Sequence, residues 1–357
     1  MLRLQRTVAM RSRRCAAIRA HQLRESRRRR QTPPSSRRPT IVLQLPSVIN
    51  AENDDRRASI LNIVDSTLAG LTRDRSVKLD FSQVTHIFPG GMLILLAFLE
   101  RLLALYPGRI RASCRPGSMA AQLLHHFGYG AALKVPLARN QPRHASVINW
   151  RHATGCEAEG HKVQEQIDHF ERQVGHAMPE GLYDVLTEAM INTRHHAYQG
   201  MEVHEDMRRW WMFSSCREPD RDRPGNLYIG LYDMGVGIPE KLRGKLVGVA
   251  EHVKAGINRL MANFGQRDFT NQDCQLLGLA VDENRSSTGL TFRGLGLPEM
   301  KEFASKTPGG RITIISGQGL YRFHSGWDTP KVARCDPPLS GTLILWNLPL
   351  TWTEPTP

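Results

Sequence analysis

Four short motifs follow one another in a fixed order between residues 188 and 342, and this order constrains the fold more than any other feature of the chain. The motifs are, in chain order, Glu188-x-x-x-Asn192, Asp233-x-Gly235-x-Gly237, Gly294-x-Gly296 and Gly341-Thr342. The first lies within a helical pattern, the second ends a β-rich run, the third opens an amphipathic helix and the fourth opens a β-rich run. The order predicts helices and strands that converge on one pocket.

The first motif lies in a helix that the sequence predicts over residues 183–198. Apolar residues form one stripe of this helix, and Glu188 and Asn192 stack four residues apart on another face. A hard cation that also binds phosphates prefers oxygen ligands and keeps several waters, so a single asparagine can complete its shell. His195 and His196 follow Asn192 by three and four residues, and regular helical spacing would keep both on its side. A solvated helix face is the alternative for this motif taken alone.

The glycine motifs fit a ligand with a flat ring and an anionic group. Asp233 ends a strand-like run, where its carboxylate can accept a hydrogen bond from an amino group, and the glycines after it let the backbone approach a ring closely. A simple turn would explain the glycines but not Asp233. Gly294-x-Gly296 leads into a helix whose N-terminal amides suit a phosphate. Arg293 can contact the same anion, although a basic solvated loop is an equally good interpretation.

The order of the motifs resembles the GHKL ATPase superfamily, which comprises gyrase, heat-shock chaperone, histidine kinase and MutL-like ATPases, and it is most similar to the anti-sigma serine kinases. The resemblance implies a C-terminal α/β sandwich of the Bergerat type over residues 161–352, with a mixed, mainly antiparallel sheet. Three strands are predicted near its end, at residues 311–316, 320–323 and 340–346.

The same resemblance assigns ligands and roles to individual residues. It implies ATP and Mg²⁺ as cofactors, Asn192 as the metal ligand and Glu188 as the general base. The nucleotide-binding residues that it implies are Asn192, His196, Asp233, Gly235, Gly237, Arg293, Gly294, Gly296, Leu297 and Thr342.

A long segment separates the second motif from the third. Residues 238–293 are 56 residues, which is long for a connection inside a compact domain, so a lid over the nucleotide is predicted. The pattern is helical over residues 239–264 and polar and irregular over residues 266–290. Three basic residues of the helical part could contact phosphate, but a charged helix face is the default interpretation and they are left outside the site: Lys241, Arg243 and Lys245.

Residues 39–140 are predicted to form a second, smaller α/β domain, and residues 141–160 a linker. Strands and helices alternate in the predicted order, which is typical of an α/β layer structure. The predicted elements are strands at residues 40–45 and 77–81 and helices at residues 54–71 and 91–106.

Residues 77–95 of this domain are similar to STAS domains, in which a strand runs through a short loop into a helix. Where that family carries Asp-Ser-Ser-Gly with a phosphorylatable serine, this chain has Phe88-Pro89-Gly90-Gly91. A phosphorylation switch is therefore not expected at this loop, and the resemblance implies a STAS-like domain for partner interaction.

The positive charge of the chain is concentrated in residues 1–38. This segment contains 13 arginines and one acid, Glu25, and so carries +12 of the formal net charge of +14. An arginine-rich segment with serine and proline cannot bury a core, and a disordered tail is expected here and over residues 353–357. The basic tail could bind nucleic acid or an acidic surface, serve as a transit peptide, or result from an over-extended start codon.

The remaining composition predicts a cytoplasmic protein. No apolar run reaches the ~20 residues of a membrane span. The six cysteines form no C-x-x-C pair, which favours a reducing compartment without a zinc site or a disulfide framework.

Two classes of function are consistent with these motifs. The first is an ATPase or protein kinase in which Glu188 activates water or a hydroxyl group. Because the fused domain lacks the usual acceptor serine, a kinase would need a protein partner in trans. The second is a nucleotide-gated interaction switch with little or no turnover. Glu188 favours the enzyme, since binding alone needs no base, and a homodimer is left open.

Overall fold

The computed structural model describes residues 38–137, 144, 147, 149–174, 178–217, 224–246, 273–282 and 296–350. The chain divides into two compact units, Met1–Ile148 and Asn149–Pro357. Both units combine helices with β-sheets, which confirms the mixed α/β class.

Parallel strands alternate with helices in the N-terminal unit. Its elements are β1 (Thr40–Gln44), β2 (Val48–Ile49), α1 (Asp54–Thr72), β3 (Ser76–Asp80), β4 (His86–Ile87), α2 (Pro89–Leu105), β5 (Ile110–Ser113) and α3 (Met119–His126). Strands β1, β3 and β5 form one parallel sheet in that order, and β2 pairs with β4 in a second. The predicted strands and helices of this region are all present.

Local sequence explains how the helices of this unit begin. The Asn53 side chain caps α1 by accepting the Arg56 N–H at 3.1 Å. Helix α2 begins at Pro89 and is apolar and buried along most of its length, as expected for an interior helix. A Cβ at Gly91 would lie only 2.8 Å from the backbone nitrogen of Asn50, so close packing of α2 explains this glycine.

The C-terminal unit is built on a five-stranded sheet. Its elements are β6 (Trp150–Gly155), α4 (Gly160–Val174), α5 (Leu182–Asn192), β7 (Trp210–Arg217), β8 (Gly225–Asp233), α6 (Ile238–Leu246), α7 (Asp273–Asp282), α8 (Leu297–Lys306), β9 (Arg311–His324) and β10 (Lys331–Leu350). The strand order is β6-β7-β8-β10-β9, and every pairing in this sheet is antiparallel. Strands β6 and β9 are therefore its edges.

One hydrophobic core joins the sheet to the helices of this unit. In α4, Val163, Ile167 and Phe170 recur at helical spacing and are buried, and Trp210 and Trp346 contribute from the sheet. Each such buried side chain contributes roughly 1.5–3 kcal/mol of hydrophobic stabilisation. The core thereby fixes the end of α5, the end of β8 and the middle of β10 beside it.

Three elements differ from the sequence expectations. Strand β9 continues through the two strands predicted at 311–316 and 320–323, because Gly317 lies at a bulge with φ of 62° and does not end the strand. Strand β6 lies within the predicted linker, and its half-buried edge position gives no clear alternation. Helix α7 lies in the segment predicted to be irregular; it is a short apolar helix buried along most of its length, so it lacks an amphipathic period.

The predicted lid, residues 238–293, is only partly described. Helix α7 belongs to the hydrophobic core through Leu276, Leu277 and Val281, so this part is a wall of the domain. Residues 247–272 and 283–295 lie outside the described residues, as do Arg293 and Gly294 and the terminal segments 1–37 and 351–357. In the part of the chain that is described, no helix combines the length and apolarity needed to cross a membrane.

Candidate functional site

The C-terminal end of α5 supplies the first side of the candidate site. The α-helix ends at Asn192 and continues as one π-helical turn over Thr193–Ala197. This wider turn changes the spacing that a regular helix would give. His196 lines a cavity together with Asn192, whereas His195 interacts electrostatically with Glu188. Only one of the two histidines therefore lies at the cavity.

His196 and Lys241 form a basic pair on the cavity wall. Lys241 Nζ lies 2.8 Å from His196 Nδ1 and 2.7 Å from Gln199 Oε1. Because an ammonium group can only donate, Nδ1 of His196 accepts, and the neutral ring carries its proton on Nε2. The pair combines a positive charge with an imidazole N–H donor, which suits an anionic ligand.

The end of β8 and the middle of β10 beside it supply the second side. Asp233, the last residue of β8, lies directly opposite Thr342 of β10 in the antiparallel register. Both side chains are buried, with only 6% of each residue exposed. Asp233 Oδ1 accepts the Gly235 N–H at 2.8 Å, which fixes the carboxylate in an Asx-type turn. A carboxylate and a hydroxyl thus stand side by side at the cavity.

Ser316 of β9 links Thr342 to the start of α6. Its Oγ accepts the Ile238 N–H at 2.9 Å and lies 3.1 Å from Gly341 O and 3.0 Å from Thr342 Oγ1. Ser316 has one proton to donate. If it donates to Gly341 O, Thr342 donates to Ser316 and offers a lone pair to the ligand; if it donates to Thr342, the Thr342 proton can reach the ligand. The network therefore lets Thr342 act as either donor or acceptor.

These elements surround a cavity of about 40 Å³, which is smaller than the ~300–1,000 Å³ typical of ligand pockets. Its apolar walls include Ala189, Leu231, Ile238 and Ile344. Residues from all four sequence motifs, or next to them, line the cavity: Asn192, His196, Asp233, Gly237, Leu297 and Thr342. The structure thus brings together most of the predicted site residues that it describes.

Glu188 lies in a separate groove of about 430 Å³, together with Gly296 and Glu299. A Cβ at Gly296 would overlap the Glu188 side chain, so the absence of a side chain there allows the carboxylate to approach the start of α8. Burial and the negative charge of Glu299 raise the pKa of Glu188 above its ordinary value, and His195 opposes the shift. The raised pKa makes the Glu188 carboxylate a stronger base than a solvated glutamate.

The glycines of the second motif have packing roles that the sequence does not reveal. Gly235 does not line the cavity; a side chain there would overlap the Ala197 carbonyl oxygen, which accepts the Val236 N–H at 2.8 Å. Gly237 lines the cavity with φ of 85°, and a Cβ there would lie 2.9 Å from Ser316 Oγ. Contact between protein segments, rather than approach to a ligand, explains Gly235.

Sequence reasoning missed two residues of the site. It assigned Lys241 to a charged helix face, and it treated Ser316 only as part of a strand, yet Lys241 lines the cavity and Ser316 orients Thr342. Lys241 follows Gly237 by four residues, and residues i and i+4 share a helix face. This spacing could have predicted that Lys241 lies at the cavity. Ser316 carries no comparable signal.

The donor set fits a magnesium nucleotide. Among the described residues, no group of three or more His, Cys, Asp or Glu side chains could hold a metal ion. Asn192 at the cavity wall is the side chain suited to Mg²⁺, which is commonly held by one or two protein ligands together with phosphates and waters. The buried Asp233 suits an exocyclic amino group, and the apolar walls suit a flat ring.

Comparison with known proteins adds no relative. No protein-family model matches the chain, and no curated protein matches it significantly. The geometry and chemistry of the cavity are therefore the basis for assigning a function.

Proposed function

We propose that the C-terminal unit binds ATP with Mg²⁺ in the cavity and hydrolyses it or transfers its γ-phosphate, as a domain of the GHKL type. The observation that carries the proposal is that residues of three motifs line one cavity together with Leu297, the residue that follows the third motif. An antiparallel sheet that shares one core with helices supports the Bergerat-type sandwich. A chance match of four short motifs would not be expected to place their side chains around one space.

The buried end of the cavity is proposed to hold adenine. Asp233 accepts a hydrogen bond from the exocyclic amino group, and Thr342 adjusts its donor or acceptor role through Ser316. Leu231 and Ile344 supply apolar surface for the ring. A buried carboxylate rejects ligands that present a carbonyl oxygen at this position, because two acceptors would face each other.

The wall formed by α5, α6 and the start of α8 is proposed to hold the phosphates. Lys241 and His196 supply positive charge and an N–H donor. The N-terminus of α8 at Leu297 adds backbone donors and a favourable dipole. Mg²⁺ bound with the nucleotide would neutralise phosphate charge, with the Asn192 side chain as its protein ligand.

Glu188 is proposed to act as the general base. Its carboxylate lies next to Gly296 at the start of α8, where the outer phosphates are expected, and its raised pKa suits proton abstraction near neutral pH. This placement favours an enzyme over a switch that only binds nucleotide. The N-terminal unit, with its parallel α/β layers, is proposed to be a STAS-like domain that binds a protein partner.

One experiment tests the proposal. The full chain is incubated with Mg²⁺ and ATP labelled at the γ-phosphate, and free phosphate and protein-bound label are followed together. Labelled phosphate indicates an ATPase, and label on the chain or on an added partner indicates a kinase. If ATP binds without turnover, the switch is correct, and if ATP does not bind, the assignment of the cavity is wrong.

Two variants assign the roles of the α5 residues in the same assay. Glu188→Ala should keep ATP affinity and thermal stability but lower turnover by roughly 10²–10⁴-fold, as expected for a lost base. Asn192→Ala should instead weaken ATP binding in the presence of Mg²⁺ and have little effect without it. A fall in stability with either variant would indicate a structural role.

A further inference from the structure

A third depression lies between the edge strand β6 and helix α4, and we name it the β6–α4 groove. Its volume is about 430 Å³, and its lining residues do not line the ATP cavity or the Glu188 groove. The charged and titratable residues that line it are Arg151, His152, Lys162, Glu165, His169 and Arg172. The groove is therefore basic, and neither the four motifs nor the proposed ATPase function accounts for it.

The positive charge in this groove is not balanced by carboxylates. Lys162 is paired with Glu159 at 2.8 Å and also donates to the Thr154 carbonyl at 2.7 Å. Within the described residues, neither Arg151 nor Arg172 forms an ion pair, and Glu165 is the only carboxylate of the lining. In this part of the chain, two guanidinium groups therefore lie in the groove without a carboxylate partner.

Arg151 makes an unusual contact for an arginine that faces a groove. Its Nη2 lies 2.5 Å from His169 Nε2 and 3.4 Å from Nδ1, and because a guanidinium group can only donate, the imidazole accepts and is neutral in this arrangement. Burial lowers the pKa of His169, and the charges of Arg151 and Arg172 lower it further. Arginine forks normally face carboxylate or phosphate oxygens. A neutral imidazole occupies that place here.

We propose that the β6–α4 groove binds a phosphate monoester dianion between Arg151 and Arg172, with His169 as a third donor once it is protonated. Each planar guanidinium group can donate two parallel hydrogen bonds to two oxygens of one phosphate. The bound anion would cancel the repulsion that the two arginines exert on a protonated His169. Binding therefore takes up a proton, and the binding of phosphate and of proton strengthen each other.

The proposal predicts a characteristic pH dependence. Phosphate affinity falls as the pH rises through the pKa that His169 has in the complex, because the third donor is lost. A phosphate monoester loses its second proton at about pH 6, so the dianion is depleted at lower pH. Affinity is therefore expected to pass through a maximum between the second pKa of the phosphate and the pKa that His169 has in the complex. Glu165 is the one acid of the lining that opposes binding, whereas Lys162 adds to the positive field.

The test follows His169 directly. Histidine side-chain NMR spectra of the full chain are recorded across pH with and without inorganic phosphate, at constant ionic strength in chloride, and His169 is assigned with a His169→Asn variant. Saturating phosphate should raise the pKa of His169 by about one unit, which corresponds to about tenfold tighter binding to the protonated form. Arg151→Gln and Arg172→Gln should each lower phosphate affinity about tenfold or more.

Matched variants separate the groove from general charge effects. Arg311→Gln removes an exposed arginine from β9, the opposite edge of the same sheet, and should leave phosphate affinity unchanged. Asp233→Asn alters the adenine pocket and should also leave it unchanged, so failure of the ATP proposal would not affect this result. Because Arg172 is exposed, its variant should fold even if the Arg151 variant does not.

A phosphoserine peptide in the same titration distinguishes the two sources of the ligand. A peptide that binds at least tenfold more tightly than inorganic phosphate identifies a phosphorylated protein, and equal affinities identify free phosphate; both support the site. The proposal is overturned if phosphate leaves the pKa of His169 unchanged, if Arg172→Gln binds phosphate as the parent does, or if only a phosphodiester oligonucleotide shifts His169.

Discussion

Asp233 is the residue on which ligand choice depends most directly. Asp233→Asn keeps the size of the side chain and an oxygen that can accept the Gly235 N–H, but it introduces an NH₂ group that can only donate. ATP affinity should fall about 5- to 150-fold, because an unsatisfied buried hydrogen-bonding group costs about 1–3 kcal/mol. Isothermal titration calorimetry with ATP measures the loss, and a thermal melt of the same sample verifies the fold.

Inosine triphosphate provides the matched ligand for this variant. It carries a carbonyl oxygen where ATP carries the amino group, so the amide NH₂ that Asp233→Asn introduces should favour it. The variant should therefore bind inosine triphosphate at least as well as the parent does. Equal ATP affinity in parent and variant would show that Asp233 is structural and that the adenine end has been misplaced.

Glu299 controls the basicity of Glu188 at the same scale. Burial is the main cause of the raised pKa of Glu188, and the Glu299 charge adds to it. If Glu188 acts as the base, turnover falls on the acid side as Glu188 becomes protonated. Glu299→Gln removes a negative neighbour, lowers the pKa of Glu188 and should move the acid limb of the kcat profile to lower pH. Gln replacement of the exposed Glu302, in the same groove, is the control. An acid limb that stays in place would separate Glu188 from the reaction.

The residues of the motifs can be recognised from the sequence, whereas the residues that contact them cannot. Asp233 could be recognised because it ends a β-rich run, and Asn192 because it follows Glu188 by four residues in a helical pattern. Ser316 could not, because its role depends on Thr342, which lies 26 residues away in the chain. Lys241 depends on His196, 45 residues away, and on a π-helical turn that no local pattern indicates.

Gly341 joins two elements of the site, since it sets the close approach of β10 to the end of β8. Its φ is 82°, and a side chain there would overlap the Asp233 carbonyl oxygen. Gly341→Ala should cost at least the ~1–2 kcal/mol of left-handed strain, and the displaced Thr342 should weaken ATP binding. Thermal unfolding and ATP titration should therefore change together.

A second glycine provides the control for this element. Gly244 lies inside α6, and a Cβ there would meet nothing within 4 Å. Gly244→Ala should stabilise the protein by about 0.5–1 kcal/mol through helix propensity and leave ATP affinity unchanged. If both variants changed ATP affinity equally, the register of β8 and β10 would not be what positions Thr342.

Element prediction succeeded where one side of the element is apolar and the other polar. Helix α1 and strand β3 follow such patterns and lie close to their expected bounds. Helix α2 is also buried along most of its length but is long enough to be predicted from its apolar run, whereas the ten-residue α7 gives no such pattern, and its ends are held by contacts with distant residues. Asp273 accepts hydrogen bonds from Arg243 and from the Gln318 N–H, and Asp282 from Lys301 and Tyr321. Such contacts fix an element only after the fold has formed.

At the scale of the whole molecule, the sequence predicted two folded pieces from a change in motif content and charge. The structure divides the chain between residues 148 and 149, inside the predicted linker of residues 141–160. The predicted tail extended to residue 38, but Arg38 pairs with Asp74 at 3.1 Å. Charge composition predicts the end of a basic tail only approximately. In the sequence, an arginine that pairs with the folded unit cannot be distinguished from one that does not.

The concentration of charge in residues 1–37 leads to the last prediction. This segment holds 12 arginines and one glutamate, whereas every residue that lines the ATP cavity lies between 189 and 344. Removal of residues 1–37, which retains Arg38, should therefore leave ATP affinity and the unfolding temperature unchanged. If the segment binds nucleic acid, the truncated chain should bind it more weakly, and the slope of log affinity against log salt should become shallower by roughly 0.9 for each phosphate contact removed.

A matched full-length variant with these 12 arginines replaced by glutamine separates the effect of charge from that of chain length. Loss of ATP binding in the truncated chain, with the glutamine variant unaffected, would mean that residues 1–37 contribute to the ATP site through something other than their charge.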